Sequence, residues 1–330
     1  MKFDVLADQL RQQSGLLAKR DIQAAAQVLD HLPFPELGNA GMLGDDAALL
    51  PAQSGQLLLA CEGMQPTLVE EDPWFAGWSS VVVNLSDIAA MGGHPLAVVN
   101  SVWSASADQQ IAMLQGMQCA SERYGVPIVG GHSNQQSPYS ALSVAVLGVA
   151  NGPVLSARSA RAGDQLWLLV NQRGTFYRHY PFWDAASDAN AELLRSHLKL
   201  LPSLAAEGLI HAAKDISMGG ITGTAVMFAE SCGRALTIEL DAVERPQGVA
   251  EHAWLTCFPS FGFLLAVEPS RSKELKQRLM SQPELICCCI GSFGLGHGQV
   301  LLRRDDCMET IWDANLTLTG FGCANDDSNC

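Results

Sequence analysis

No lysine or arginine occurs between Asp21 and Glu122, a stretch that counts twelve Asp and Glu residues with its two ends included. Carboxylates there have no fixed cation within the segment to pair with. They are either solvated or they hold imported cations. Solvation suits the run Glu70-Glu71-Asp72. It suits a carboxylate embedded in apolar sequence far less well, because a buried charge must be paired, neutralised or coordinated. The whole chain has 20 Lys and Arg against 34 Asp and Glu, a net charge of −14. Nucleic-acid binding is disfavoured, since phosphate contacts need clustered cations.

Other absences exclude further classes. No apolar run reaches the roughly 18 residues of a membrane span. The start, Met1-Lys2-Phe3-Asp4, lacks the apolar core of a signal peptide. A cytoplasmic protein that does not enter a membrane is expected. The ten cysteines contain no Cys-x-x-Cys pair. Three stand in a row, Cys287-Cys288-Cys289, within an apolar stretch. Consecutive strand residues point to opposite faces, so these three suit a reducing interior better than one metal. Cys323 and Cys330 fall in a polar tail and are given no function. There is no Gly-x-x-x-x-Gly-Lys-Ser/Thr loop and no Gly-x-Ser-x-Gly elbow. Gly294-Leu295-Gly296-His297-Gly298 precedes a strand, not a helix, and is no dinucleotide fingerprint.

What is present is a globular composition, 48 % hydrophobic and 16 % charged over 330 residues. That length holds two domains with real cores. The first 33 residues read as two amphipathic helices. Leu57 to Glu62 reads as a strand. Asp72-Pro73 reads as a helix start, and the helix runs to Gly92-Gly93. A strand over Leu96 to Trp103, a helix over Asp108 to Tyr124 and a strand over Pro127 to Val129 follow. Ser140 to Ala150 is another strand. Asn151-Gly152-Pro153 marks the boundary, giving domains 1–152 and 153–322 and a frayed tail, 323–330. The second half has helices near Asp188 to Glu207, Gly220 to Cys232 and Ser270 to Ser281. Its strands are Gln165 to Val170, Ala235 to Leu240, Phe261 to Val267 and Leu285 to Gly291. The alternation is α+β with α/β character in both domains.

Five segments can carry chemistry. In Gly44-Asp45-Asp46-Ala47-Ala48, adjacent carboxylates follow a glycine; the segment is either a turn or a cation site. Glu62 closes a strand on the side where ligands usually sit. In the helix Ser79 to Met91, Ser80, Asn84 and Asp87 fall at spacings of four and three, on one face of a nearly all-apolar helix. Asp87 there requires a metal or a basic partner. In Val129-Gly130-Gly131-His132-Ser133-Asn134, the glycines permit close backbone approach to a ligand. His132 is a base, a substrate contact or a turn residue. In Asp215-Ile216-Ser217-Met218-Gly219-Gly220, the start of a helix attracts anions, and Asp215 holds a metal or caps the helix.

In this order, these segments resemble one superfamily. It includes aminoimidazole ribonucleotide (AIR) synthetase, thiamine-monophosphate kinase, selenophosphate synthetase, the hydrogenase-maturation dehydratase and formylglycinamidine ribonucleotide synthetase. The resemblance covers roughly residues 40 to 300. In the N-terminal half it is nearest to thiamine-monophosphate kinase, through Gly-Asp-Asp-Ala-Ala and Val-Asn-Leu-Ser-Asp-Ile-Ala-Ala-Met-Gly. It implies ATP and Mg2+ as cofactors, a small-molecule substrate and a homodimer whose N-terminal domains form a β-barrel-type interface flanked by helices. It implies a C-terminal α/β sandwich-like domain. It puts Asp45, Asp46, Glu62 and Asp87 at metal-ligand positions. Asn84, Gly130, Gly131 and Arg158 fall on the nucleotide side, and His132 and Asp215 at catalytic positions. The implied activity is that of an ATP-dependent ligase, cyclase or kinase. His132 stands where the kinase usually has Asp, and Met218 replaces the second Asp of Asp-x-Ser-Asp. The kinase's late acidic motif is also missing. These departures leave three readings: activation of an amide or carbonyl oxygen, thiamine-monophosphate phosphorylation, or a regulatory subunit with degraded catalysis. The first 60 residues hold no Cys, which argues against selenophosphate synthesis.

Overall fold

The computed structural model describes residues 55–316 and 318. The two expected N-terminal helices and the pair Asp45-Asp46 lie outside the described residues. The chain divides into two compact units. Of the described residues, the first takes Leu59–Leu85 and Pro95–Gly148. The second takes Gly55–Leu58, Ser86–His94 and the chain from Val149 onward.

The first unit is built on a four-stranded sheet in the order β1-β4-β2-β3. Its strands are β1 (Gln56–Gly63), β2 (His94–Trp103), β3 (Ile128–Asn134) and β4 (Ala141–Ala150). Helices α1 (Pro66–Glu71), α2 (Pro73–Ala90) and α3 (Ala107–Tyr124) lie between the strands in sequence. The start of α2 follows its sequence signal, with Phe75 N–H donating to the Asp72 carboxylate at 3.1 Å. Ser106 caps α3, and Gly125 ends it in the left-handed conformation at φ 75°. Alternation along the strands sets two faces. Val98, Val102, Leu142, Val144 and Val146 are buried. The other side stays open: Leu57 is 66 %, Leu59 78 % and Val99 42 % exposed. Among the described residues the sheet is open, and no closed barrel forms.

The second unit carries a seven-stranded sheet, β14-β13-β9-β12-β5-β11-β8. Its strands are β5 (Gln165–Asn171), β8 (Ala212–Asp215), β9 (Ala235–Glu239), β11 (Gly262–Val267), β12 (Leu285–Gly294), β13 (Val300–Arg304) and β14 (Cys307–Trp312). Its helices are α4 (Ala191–Leu198), α5 (Leu200–Ala206), α6 (Gly220–Cys232), α7 (Glu251–Thr256) and α8 (Ser272–Leu279). Both faces are covered, as the near-continuous apolar strands require. Leu166, Leu168 and Val170 of β5 pack with Ile221, Phe228 and Trp254 of α6 and α7. Trp167 and Leu169 point the other way, onto Leu201, Leu204 and Leu275 of α5 and α8.

Two details differ from the sequence reading. The helix expected over Asp188 to Glu207 is two helices that meet at Lys199. A small antiparallel and parallel sheet, β10-β7-β6, uses only Thr175–Phe176, Phe182–Asp184 and Phe258–Pro259. Its aromatic contacts include Trp183 edge-on to Trp254 at 5.2 Å. Strands of two or three residues carry no periodicity to read.

Candidate functional site

Helix α2 presents the polar face that its spacing predicts, but most of that face turns inward. Ser80 and Asn84 are fully buried. The Ser80 hydroxyl donates to the Gly77 carbonyl at 2.8 Å, and the Asn84 amide donates to the Ser80 carbonyl at 2.7 Å. Such bonds to the preceding turn satisfy a side chain without any ligand. One acceptor is left over: Asn84 Oδ1 is buried with no hydrogen-bond partner. Asp87, almost one turn on, is half-buried rather than enclosed. A half-buried carboxylate keeps part of its hydration and can offer oxygen to a cation.

The Gly130-Gly131 pair is positioned differently from expectation. Strand β3 does not stop at the glycines but continues through His132, Ser133 and Asn134, paired in parallel with β2. Gly131 lies opposite Asn100, and a Cβ added there would sit 2.4 Å from Asn100 Oδ1. The bare backbone at Gly131 therefore accommodates a neighbouring side chain. A Cβ at Gly130 would meet only Val99, at 3.8 Å. His132 is exposed, with its ring 6.4 Å from that of Trp103. Glu62 is also exposed, at the end of β1. Since β1 and β3 are opposite edges of the sheet, three strand spacings of about 4.8 Å separate Glu62 from His132 laterally. They do not share a ligand atom.

In the second unit, Asp215 closes β8 beside Phe263. Burial pushes its carboxyl above the ordinary range, and the Lys214 charge only partly offsets this. Asp215 does not cap α6: the helix begins at Gly220 without a side-chain cap. The Gly220 N–H at its start donates to the Ser217 carbonyl at 2.8 Å. Gly220 is irreplaceable at this entry, because φ is +65° and a Cβ would lie 2.5 Å from the Leu255 carbonyl oxygen. Met218, where the resemblance expects a second Asp, is 50 % exposed. Arg158 is exposed on a single 3-10 turn, Ala157–Ser159.

Of the three consecutive cysteines Cys288 is buried and Cys287 and Cys289 are half-buried. Cys257 and Cys288 are buried, and burial pushes the thiols of Cys257, Cys287 and Cys288 up to about 12. Among the described residues, no group of three or more His, Cys, Asp or Glu is gathered as a metal cluster. No described helix is long and apolar enough to cross a membrane.

Sequence comparison identifies the class. Residues 44–150 match the AIR synthase related protein, N-terminal domain, and residues 163–301 match the corresponding C-terminal domain. The chain belongs to this AIR synthase-related family. It is 45 % identical over 315 residues to the uncharacterized protein sll0787 of Synechocystis sp., covering 95 % of this chain and 97 % of that one. It is 31 % identical over 157 residues to the thiamine-monophosphate kinase of Synechococcus elongatus, covering 41 % and 47 % of the two chains. The hydrogenase maturation protein HypE in complex with ATP shares the fold at a TM-score of 0.68. That match covers 92 % of this chain and 96 % of HypE at 18 % identity.

Proposed function

We propose that this chain is an ATP-dependent, magnesium-requiring enzyme that activates, or transfers phosphate to, an amide or carbonyl oxygen of a small metabolite. The observation that carries this reading is on α2. A buried amide oxygen without a partner, Asn84 Oδ1, precedes the half-buried carboxylate Asp87 by three residues. Carboxylate and amide oxygens suit a hard divalent cation such as magnesium. Asp87 would hold that cation, and the family resemblance adds Asp45, Asp46 and Glu62 as further carboxylates. Bound magnesium supplies the positive charge that phosphoryl transfer needs.

The chain's own residues do the rest. His132, exposed at the sheet edge, orients the acceptor or takes its proton. The uncapped start of α6 receives an anionic oxygen, and Asp215 positions the group beside it. Met218 stands in place of a carboxylate that a phosphate-accepting kinase would use, which favours an amide or carbonyl acceptor over thiamine monophosphate. The buried thiols Cys232, Cys257 and Cys288 suit a reducing, cytoplasmic setting. The open apolar face of Leu57, Leu59 and Val99 suits a homodimer.

Calorimetric titration of ATP with and without magnesium, on wild type and Asp87→Asn, tests the proposal. Magnesium-dependent binding that the mutant loses is expected. His132→Ala is expected to keep that binding and lose turnover. Absence of ATP binding under both conditions overturns the reading. Binding without turnover with any acceptor would instead favour a regulatory nucleotide-binding subunit, a reading that the loss of a carboxylate at Met218 also fits.

A further inference from the structure

A second polar site lies in the second unit, at the end of its sheet remote from Asp215. His211 immediately precedes β8, and Asp215 ends it. Four residues at about 3.3 Å each put roughly 13 Å between them. Beside His211 opens a cavity of about 490 Å³, lined by Arg161, Asp164, Leu209, His211, Glu268 and Arg271 among others. That volume is within the range of small-molecule sites.

The polar groups of the cavity divide into those already engaged and one that is not. Asp164 is buried, with 6 % of its side chain exposed. Its Oδ2 accepts the Arg161 backbone N–H at 2.6 Å and lies 2.8 Å from His211 Nε2. The carboxylate thus fixes the imidazole ring, which remains 30 % exposed. Glu268 accepts the Ser270 hydroxyl at 2.7 Å. Arg271 donates to the Glu207 and Gly208 carbonyls at 3.0 and 3.2 Å and pairs with Glu274 at 2.8 Å. The guanidinium of Arg161 engages no partner among the described residues. Of the two arginines that line the cavity, Arg161 is the one left to meet an anion.

We propose that this cavity binds a small metabolite through its carboxylate or phosphate group. Arg161 receives the anionic oxygens, as the guanidinium fork is suited to do. His211, held by Asp164, supplies a second polar contact. Leu209 and the neighbouring prolines cover the carbon frame of the ligand.

The test is calorimetric titration of the full chain with inorganic phosphate and, separately, with succinate, at matched ionic strength. Wild type, Arg161→Ala and Asp87→Asn are compared. Arg161 is exposed, so its truncation leaves the fold intact. Saturable binding of either probe is expected in wild type and Asp87→Asn, weakened about tenfold or more in Arg161→Ala. Phosphate alone would define a phosphate site, succinate alone a carboxylate site, and either supports the proposal. No saturable binding of either probe overturns it. So does equal binding by wild type and Arg161→Ala, which would place the anion elsewhere, for instance in the nucleotide site.

Discussion

Substituting Gly131 by Ala separates two explanations of the glycine pair. In the structure, Asn100 stands opposite Gly131 and is buried. The added Cβ would lie 2.4, 2.7 and 2.8 Å from Asn100 Oδ1, Cγ and Nδ2. Either Asn100 is displaced or β2 and β3 separate. Overpacking of this kind costs about 1–3 kcal/mol. Ala for Gly in a strand recovers about 0.5–1 kcal/mol through the unfolded chain. A net loss of about 1–2 kcal/mol is expected from these two effects. Asn100→Ala alone should cost little more than about 0.5 kcal/mol, because its bond to the Gly130 carbonyl is long at 3.5 Å. The double substitution removes the clash. Its stability should equal or exceed that of Asn100→Ala, giving a favourable coupling of about 1–3 kcal/mol. Urea unfolding of the four proteins measures this directly. Coupling near zero would refute the packing argument. Weakened ATP binding in Gly131→Ala with unchanged stability would show that the glycine is kept bare for a ligand.

Further predictions concern charge, thiols and assembly. Burial raises the Asp215 pKa above its ordinary 3.8, so the folded state binds that proton more tightly than the unfolded state. The resulting penalty on folding is absent at low pH, grows as pH rises through the unfolded value and is complete above the folded one. Asp215→Asn should therefore raise the urea midpoint at neutral pH, and the gain should vanish as pH falls below 3.8; an equal gain at both ends would contradict this. Cys257, Cys287 and Cys288, held at about 12, should resist iodoacetamide in the native protein at neutral pH. Exposed Cys61 and Cys307 should be alkylated, and mass spectrometry of the labelled peptides distinguishes the two groups. Leu59→Lys places a charge on the open face of the sheet. It should shift the proposed homodimer towards monomer in sedimentation velocity while leaving the monomer folded.

The long elements were legible because their signals are local. Ser106 and Gly125 bound α3 where hydroxyl capping and a left-handed glycine place the ends. The apolar run of β5 announced a strand, and the structure adds that both its faces are buried. The chemistry was legible only in part. The spacing of Ser80, Asn84 and Asp87 put them on one helix face, but spacing does not say how far that face turns inward. Ser80 bonds to its own helix, and Asp87 is less buried than the apolar sequence suggests. Gly131 shows the same limit, since the residue that demands a glycine is Asn100 on another strand. The Asp164–His211 pair escaped notice because 47 positions separate its members. The sequence near Asp164 offers only a small, polar stretch, 156–164, that carries Arg158 and Arg161.

The charge distribution bears on the proposed magnesium dependence. Within Leu59–Leu85 and Pro95–Gly148 the one Lys or Arg is Arg123. Its guanidinium lies 5.0 Å from the centroid of the Trp78 ring, a cation–π contact that also ties α3 to α2. That cation is committed to the core side of the unit. A triphosphate bound here would find no second fixed cation among the described residues of the unit, and at ordinary ionic strength exposed charges beyond about 10 Å are largely screened. On the proposed reading the positive charge is imported as magnesium, held by the carboxylates of this region. A protein that bound ATP through lysines would lose affinity smoothly as salt rises. This one should instead lose it abruptly when magnesium is chelated, and recover it when magnesium is restored.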